Sequence, residues 1–170
     1  MNVENNKEIR LAREDDFEEL ISLLEESSIE SKKDLQVNLK GQIQNNTSES
    51  SSSRFFIGLI NNEIVSYAKI FYYSKDKMKV DFKSPDGWYT NGVFVKEEHR
   101  RKGFASSLLK ARAKYAKDSS IDGILFSIVA TDNNSSIKYH QNLNFNEHSR
   151  ATGFLNVQLR CGEGILFYKD

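Results

Sequence analysis

Val93-Phe94-Val95-Lys96-Glu97-Glu98-His99-Arg100-Arg101-Lys102-Gly103-Phe104-Ala105-Ser106-Ser107-Leu108-Leu109 reads as a strand, a basic turn and the start of a helix. Val93 to Val95 is a short apolar, β-branched run suited to a strand. Leu108, Leu109, Ala113 and Ala116 then recur at helical spacing. Between them stand Arg100, Arg101, Lys102 and Gly103, followed by the small residues Ala105, Ser106 and Ser107. Small side chains leave backbone amides uncovered at a point where a helix supplies them no acceptor. A helix N-terminus also carries about half a positive charge. Cations there are unfavourable to the helix dipole unless an anion joins them. Free amides, dipole and three cations together predict a phosphate or pyrophosphate site. The same residues could also form a plain solvated surface turn. The spacing is neither the G-x-G-x-x-G of dinucleotide folds nor a G-x-x-x-x-G-K-[ST] phosphate loop.

Charge elsewhere supports an anion at this turn. The 170 residues carry 24 bases and 24 acids, a formal net charge of zero. Residues 1–50 hold 12 acids against 6 bases, whereas residues 96–118 hold 8 bases against 3 acids. Positive charge is therefore gathered around the turn, as a polyanionic ligand would require. The neutral whole gives no argument for nucleic acid, and Arg100, Arg101 and Lys102 lack the base-stacking aromatics such a partner would need. Length and composition fit one globular domain over residues 1–170. Cys161 is the only cysteine, so no intrachain disulfide can form, which suits a reducing compartment. No apolar run is long enough to cross a membrane, and Met1-Asn2-Val3-Glu4-Asn5-Asn6 lacks signal-peptide character. A cytoplasmic protein without membrane association or a metal site is expected.

The remaining elements follow from periodicity. Glu8 to Arg13 is extended. A helix capped by Asp15 or Asp16 runs to about Glu26, with Phe17, Leu20, Ile21 and Leu24 as its apolar stripe. A second helix covers about Ser28 to Gln44, and Asn45 to Ser53 reads as a solvated loop. Arg54 to Ile60 and Glu63 to Tyr73 form a hairpin across Asn61-Asn62. Met78, Val80 and Phe82 alternate, so the hairpin could extend there. Ser84-Pro85-Asp86-Gly87 is a turn before the strand Trp88 to Val95. Gly123 to Ala130 is a strand buried on both faces. A short helix over Ser135 to Asn142 and strands at Phe145 to Ala151 and Ile165 to Lys169 complete the order β-α-α-β-β-β-α-β-α-β-β. Hairpins early and helical crossovers late predict an α/β chain with a mixed sheet of about seven strands and helices on both faces.

Arg100-x-x-Gly103-x-Ala105 after a Val-x-Val strand resembles the acetyl-coenzyme A signature of the GNAT N-acetyltransferase superfamily. Asn133-Asn134-Ser135-Ser136-Ile137-Lys138-Tyr139-His140-Gln141-Asn142-Leu143-Asn144-Phe145 resembles that family's Asn-x-x-Ala-x-x-x-Tyr-x-x-x-Gly-Phe stretch. The order of elements is also similar to the family fold over almost the whole chain. The resemblance implies a sheet that splays open after the fourth strand, with acetyl-coenzyme A in the gap. It assigns the backbone of Val93, Phe94 and Val95 to the thioester and pantetheine. The turn residues Arg100, Arg101, Lys102, Gly103, Phe104, Ala105 and Ser106 take the pyrophosphate, and Asn133 and Ser136 face the pantetheine. It implies an N-acetyltransferase acting on a primary amine of a small molecule or peptide by direct attack in a ternary complex. A homodimer is an open expectation, since dimers are common among relatives.

Departures from the pattern bear on mechanism. His140 stands where many relatives carry a tyrosine that protonates the departing thiolate, and imidazole titrates near neutrality. Tyr139, one residue earlier, faces about 100° away on the helix. His140 and Tyr139 are thus the catalytic candidates, although His140 could instead only hydrogen-bond in the groove. Ile128 occupies the position of the general-base glutamate of some relatives, so Glu63, Asp86, His148 or a water relay would remove the amine proton. Lacking that base, the chain could alternatively be a catalytically silent coenzyme A sensor. Cys161 has no paired base in sequence and reads as a bystander. The family places the acceptor against the first two helices and the loop before the last strand, here Ser27 to Gln36 and Thr152 to Gly164. The acidic first helix could attract a cationic amine, or be a solvated face. Trp88, Tyr89, Phe154 and Tyr168 could wall that pocket or fill the core.

Overall fold

A computed structural model describes residues 6–48, 51–119 and 123–170. The N-terminal reading at Met1 to Asn5, Glu49 and Ser50 of the expected loop, and Ser120 to Asp122 lie outside these residues. The sheet contains seven strands: β1 (Lys7–Leu11), β2 (Ser53–Ile60), β3 (Glu63–Tyr73), β4 (Gly87–Val95), β5 (Leu125–Ala130), β6 (Asn146–Ala151) and β9 (Gly164–Lys169). Their order across the sheet is β1-β2-β3-β4-β5-β9-β6. Among the described residues four helices accompany them: α1 (Phe17–Ser27), α2 (Lys32–Thr47), α3 (Phe104–Ser119) and α4 (Asn134–Asn142). This is the mixed α/β architecture that the periodicity predicts. The chain forms two compact units, Met1–Ile70 with Asn91–Arg112, and Phe71–Thr90 with Ala113–Asp170.

In the first unit β1 pairs antiparallel with β2, from Lys7 opposite Ile60 to Leu11 opposite Phe56. The β2–β3 turn places Asn61 and Asn62 at φ 49° and 68°, the left-handed pair a two-residue hairpin turn demands. Asparagine accepts that conformation better than other non-glycine residues. Leu20, Ile21, Leu23 and Leu24 of α1 and Leu35, Leu39 and Ile43 of α2 close a core over Phe55, Ile57, Leu59 and Ile64. Burying such side chains contributes about 1.5–3 kcal/mol each before entropy. A 3-10 turn at Glu14–Asp16 precedes α1. Asp16 accepts from Arg10 Nη1 and Nη2 at 2.7 and 2.8 Å and from the Arg13 amide at 2.7 Å.

The second helix runs three residues past the expected end. The Asn/Ser/Thr stretch looks like loop, but Arg54 satisfies carbonyls that the helix end leaves open, and Asn46 ties the last turn to neighbouring strand backbone. Asn46 Nδ2 donates to Ala12 O and Phe55 O, and its Oδ1 accepts from the Phe55 amide. Arg54, buried on β2, donates to the carbonyls of Asn45 and Ser48.

In the second unit β4 meets β5 in a parallel ladder of two residue pairs, Trp88↔Leu125 and Tyr89↔Phe126. β9 pairs antiparallel with both β5 and β6. The hairpin does not extend through Met78 to Phe82; Ser74 to Lys77 turns, and Phe82 makes one isolated bridge to Leu155. The polar stretch before β9 is not a plain loop either. It contains a small hairpin of β7 (Gly153–Phe154) and β8 (Val157–Gln158). Tyr89, Phe126, Phe154 and Leu166 form this unit's core, with Tyr168 packed on it, and Trp88 is buried. Of the aromatic residues offered as acceptor walls, Trp88, Tyr89 and Phe154 are buried in the core and Tyr168 is half-buried against it.

Candidate acetyl-coenzyme A site

The segment of β4 within the first unit differs from an ordinary buried strand. Asn91, Gly92 and Val93 are exposed, Val93 by 52%. Gly92 sits at φ 61°, a left-handed residue inside a strand, which marks a bulge or close backbone approach. Phe94 turns the other way and stacks on Tyr67, centroids 5.6 Å apart. Lys96 N–H donates to Val65 O, keeping β4 against β3. The Val95 carbonyl accepts from Arg100 Nε at 3.2 Å, so the loop that follows is tied back to its own strand.

That loop passes through a 3-10 turn, Glu97–His99, and enters α3 at Phe104. Arg101 and Gly103 both have positive φ, 61° and 79°. Alternating left-handed residues of this kind build concavities in which backbone amides collect anions. Ser107 N–H donates to Gly103 O. The amides of Phe104, Ala105 and Ser106 therefore precede the first acceptor that helix geometry supplies. A cavity of about 260 Å³ opens there, lined by Val95, His99, Arg100, Arg101, Gly103, Phe104, Ala105 and Ser106. A Cβ placed on Gly103 would come near one heavy atom only, Lys7 Nζ at 3.4 Å. The cradle is open, cationic and rich in donors, which fits a pyrophosphate. His99 Nδ1 is buried beside it without a hydrogen-bond partner.

The sequence does not single out Lys7. Its ammonium lies 4.5 Å from the Phe104 ring centroid and donates to Lys102 O at 3.3 Å. Burial, and then the charge of Lys110, push its pKa down. A fourth cation thus stands against the loop, brought by a strand 95 residues earlier. No local pattern could have announced it.

The second unit holds the other signature residues. Asn133 caps α4, its side chain accepting from the Ser136 amide at 3.0 Å. His140 is 6% exposed. Its ring stacks on Phe167 at 5.4 Å and meets Tyr139 and Phe145 edge-on. Its Nδ1 lies 2.7 Å from Ser136 O. Because a carbonyl only accepts, this contact puts a proton on Nδ1 and makes Nε2 the acceptor nitrogen of the neutral ring. Asn144, in place of the family glycine, has φ 58° as asparagine permits.

Candidates for the base are placed less favourably. The Glu63 carboxylate accepts from Lys96 Nζ at 2.7 Å, and that ammonium holds it below the usual carboxylate range. A carboxylate so held is a weak base. Asp86 accepts from the Lys75 amide. His148 is exposed, its ring edge-on to Phe126 and Tyr168. Cys161 is also exposed; hydrogen bonding to the Glu163 backbone lowers its thiol pKa, with Thr131 Oγ1 3.8 Å away. Among the described residues no cluster of His, Cys, Asp and Glu could hold a metal, and no helix is long and apolar enough to cross a membrane. Several acids of the first helical region are engaged internally: Asp16 by Arg10, Glu19 by the Ile64 amide, Glu25 by Lys32.

A family model described as the acetyltransferase (GNAT) family matches residues 17–145. No curated protein sequence matches the chain. Among solved structures, an aminoglycoside N-acetyltransferase in complex with CoA is similar at TM-score 0.69 and 17% identity, covering 95% of this chain and 99% of that one. A chimera of the Vibrio cholerae spermidine N-acetyltransferase gives 0.65 and 15%, covering 95% and 93%. A GNAT-family acetyltransferase from Streptococcus pneumoniae gives 0.64 and 16%, covering 96% and 98%.

Proposed function

Because the chain belongs to the acetyltransferase (GNAT) family, we propose that it moves an acetyl group from acetyl-coenzyme A to a primary amine of a small molecule or peptide, by direct attack in a ternary complex. One observation carries the cofactor assignment: the open, cationic cradle at Arg100 to Ser106, whose Arg101 and Gly103 adopt the left-handed backbone an anion-binding loop uses. The pyrophosphate takes the amides at the start of α3 with Arg100, Arg101 and Lys102. The backbone of Val93, Phe94 and Val95 takes the pantetheine, and the family pattern assigns Asn133 and Ser136 to the same arm. Bound acetyl-coenzyme A supplies the activated thioester.

The chain's own contribution is positioning, charge and protons. An amide near Val93 stabilises charge developing on the carbonyl oxygen. The amine must arrive neutral, because an ammonium has no lone pair. With Glu63 paired to Lys96, water carries that proton away. His140, carrying a second proton on Nε2 as imidazolium, gives that proton to the departing thiolate and takes another from water afterwards, while Tyr139 packs against its ring. The protein is read as cytoplasmic.

Thiol release from acetyl-coenzyme A, followed over a panel of primary amines, tests this reading. Amine-dependent release at a rate above hydrolysis is expected. Cofactor binding with no release over any amine would instead identify a silent coenzyme A module.

A further inference from the structure

A second cavity lies wholly within the first unit, between α1, α2 and β3. It measures about 230 Å³ and is lined by polar side chains that include Ser27, Glu30, Asn38, Gln42, Tyr67 and Lys69. Pockets for drug-sized ligands run to about 300–1,000 Å³, so this one suits a smaller molecule. Its floor carries a charge in an unusual setting. The Lys69 ammonium lies over two aromatic rings, 5.4 Å from the Phe55 centroid and 5.9 Å from that of Tyr67. Burial lowers its pKa, and only the more distant charge of Glu30 opposes that. Among the described residues no carboxylate stands within ion-pair distance of it. Aromatic faces compensate a desolvated cation in part. A carboxylate would compensate it fully, and the rest of the cavity is built to receive one end of a small polar molecule. Tyr67 Oη and Ser27 Oγ hydrogen-bond at 2.9 Å across the rim. Glu30, across from the lysine, accepts from Asn38 Nδ2 at 3.3 Å.

One lining residue of the cavity, Tyr67, packs on the strand segment assigned to the thioester. Arg112 Nη1 donates to the main-chain Lys69 O at 3.2 Å and reaches Gly92 O at 3.5 Å, so the strand backbones at Lys69 and at the β4 bulge share one anchor. Tyr67 stacks on Phe94 two residues further. A ligand fixed at Lys69 would therefore present its other end toward Gly92 to Phe94.

We propose that the acceptor is an amine that also bears a carboxylate, of amino-acid size, and that Lys69 is the residue that recognises that carboxylate. This rests on the acetyl-transfer reading above and narrows its substrate class. A polycationic acceptor is disfavoured, since it would bring positive charge against Lys69, while three acids of the first helical region, Asp16, Glu19 and Glu25, are engaged within the fold.

The test is steady-state acetylation of free amino acids, each matched with its α-carboxamide, by wild type, Lys69→Met and Lys69→Arg. Acetyl-coenzyme A binding is followed separately by thermal shift on all three. Wild type is expected to favour the carboxylate member at least tenfold in kcat/KM, as a charge-assisted contact would give. Lys69→Met should erase that ratio and Lys69→Arg keep part of it, with cofactor binding unchanged. Equal use of acids and amides by wild type overturns the inference and leaves acetyl transfer standing. So does a Lys69→Met variant that keeps the preference. A Lys69→Met variant slowed equally on both members, at unchanged KM, overturns it too and assigns the lysine to proton removal. Cofactor binding without acetylation of either set refutes it as well. No cofactor binding by any variant removes the parent reading and this one with it.

Discussion

Substitutions at Gly103 separate strain from loss of ligand. Its φ of 79° costs an L-residue about 1–2 kcal/mol. The space itself is open, since a Cβ would meet only the far end of Lys7 at 3.4 Å. For a domain of this size each kcal/mol moves Tm by roughly 2–4 °C, so both Gly103→Ala and Gly103→Glu should melt about 2–8 °C below wild type without ligand. Acetyl-coenzyme A at 100 times its Kd adds about 2.7 kcal/mol to wild type, or roughly 5–10 °C. Ala leaves the amides and the three cations in place, so it should keep most of that rise. Glu adds a negative charge where an anion must sit. At about 5 Å and an effective dielectric near 20, the repulsion is on the order of 3 kcal/mol, or ~100-fold in Kd. At the same ligand concentration the remaining rise is then about 1 °C. The assay is a thermal melt of three proteins with and without acetyl-coenzyme A. A Glu variant that keeps the full rise would refute the placement of the pyrophosphate. An Ala variant that loses it as completely as Glu would refute the argument from charge.

Asp16→Asn should cost about 1.5–3 kcal/mol at pH 7, because it strips the partner from Arg10. Burial pushes the Asp16 pKa up, but the Arg10 guanidinium and the Arg13 amide together pull it below the ordinary value. Its contribution is then complete above about pH 5 and lost as pH falls below about 4, so urea melts at pH 7 and pH 3 should show the gap between wild type and variant closing. Arg54→Met should lower Tm by roughly 4–8 °C, since carbonyls at the α2 end lose their donor at a cost of about 2 kcal/mol, while the acetyl-coenzyme A rise stays intact. His140→Phe preserves an aromatic ring against Phe167 and removes the exchanging nitrogen. It should lower kcat by on the order of 100-fold with cofactor binding kept; a change under twofold would assign the ring to packing.

Local chemistry explains what was legible. The hairpin at Asn61-Asn62, the cradle and the α4 cap each rest on residues adjacent in the chain, whose backbone preferences are strong. The end of α2 was not legible, because Asn45 to Thr47 are helical only by virtue of Asn46 and Arg54 reaching across to backbone that neighbours them in space. The β7–β8 hairpin was missed for the opposite reason. Two-residue strands carry too little alternation to register, and Gly153 is held by Phe82, whose ring atoms leave no room for a Cβ.

The same distinction separates family from substrate. The proposed cofactor loop offers main-chain amides and glycine, so its signature is short, contiguous and readable. The second cavity recognises through side chains of α1, α2 and β3, and its charge setting exists only once Phe55 and Tyr67 are laid beside Lys69. In sequence Lys69 is one of 24 basic residues, inside an ordinary strand. Composition pointed the other way, because it counted the acids of the first helical region without seeing Arg10, Ile64 and Lys32 engage three of them. Net charge in a segment measures what a ligand meets only when those charges are unpaired; here three of the acids are paired, and the cavity lining carries the Lys69 ammonium beside the single carboxylate of Glu30.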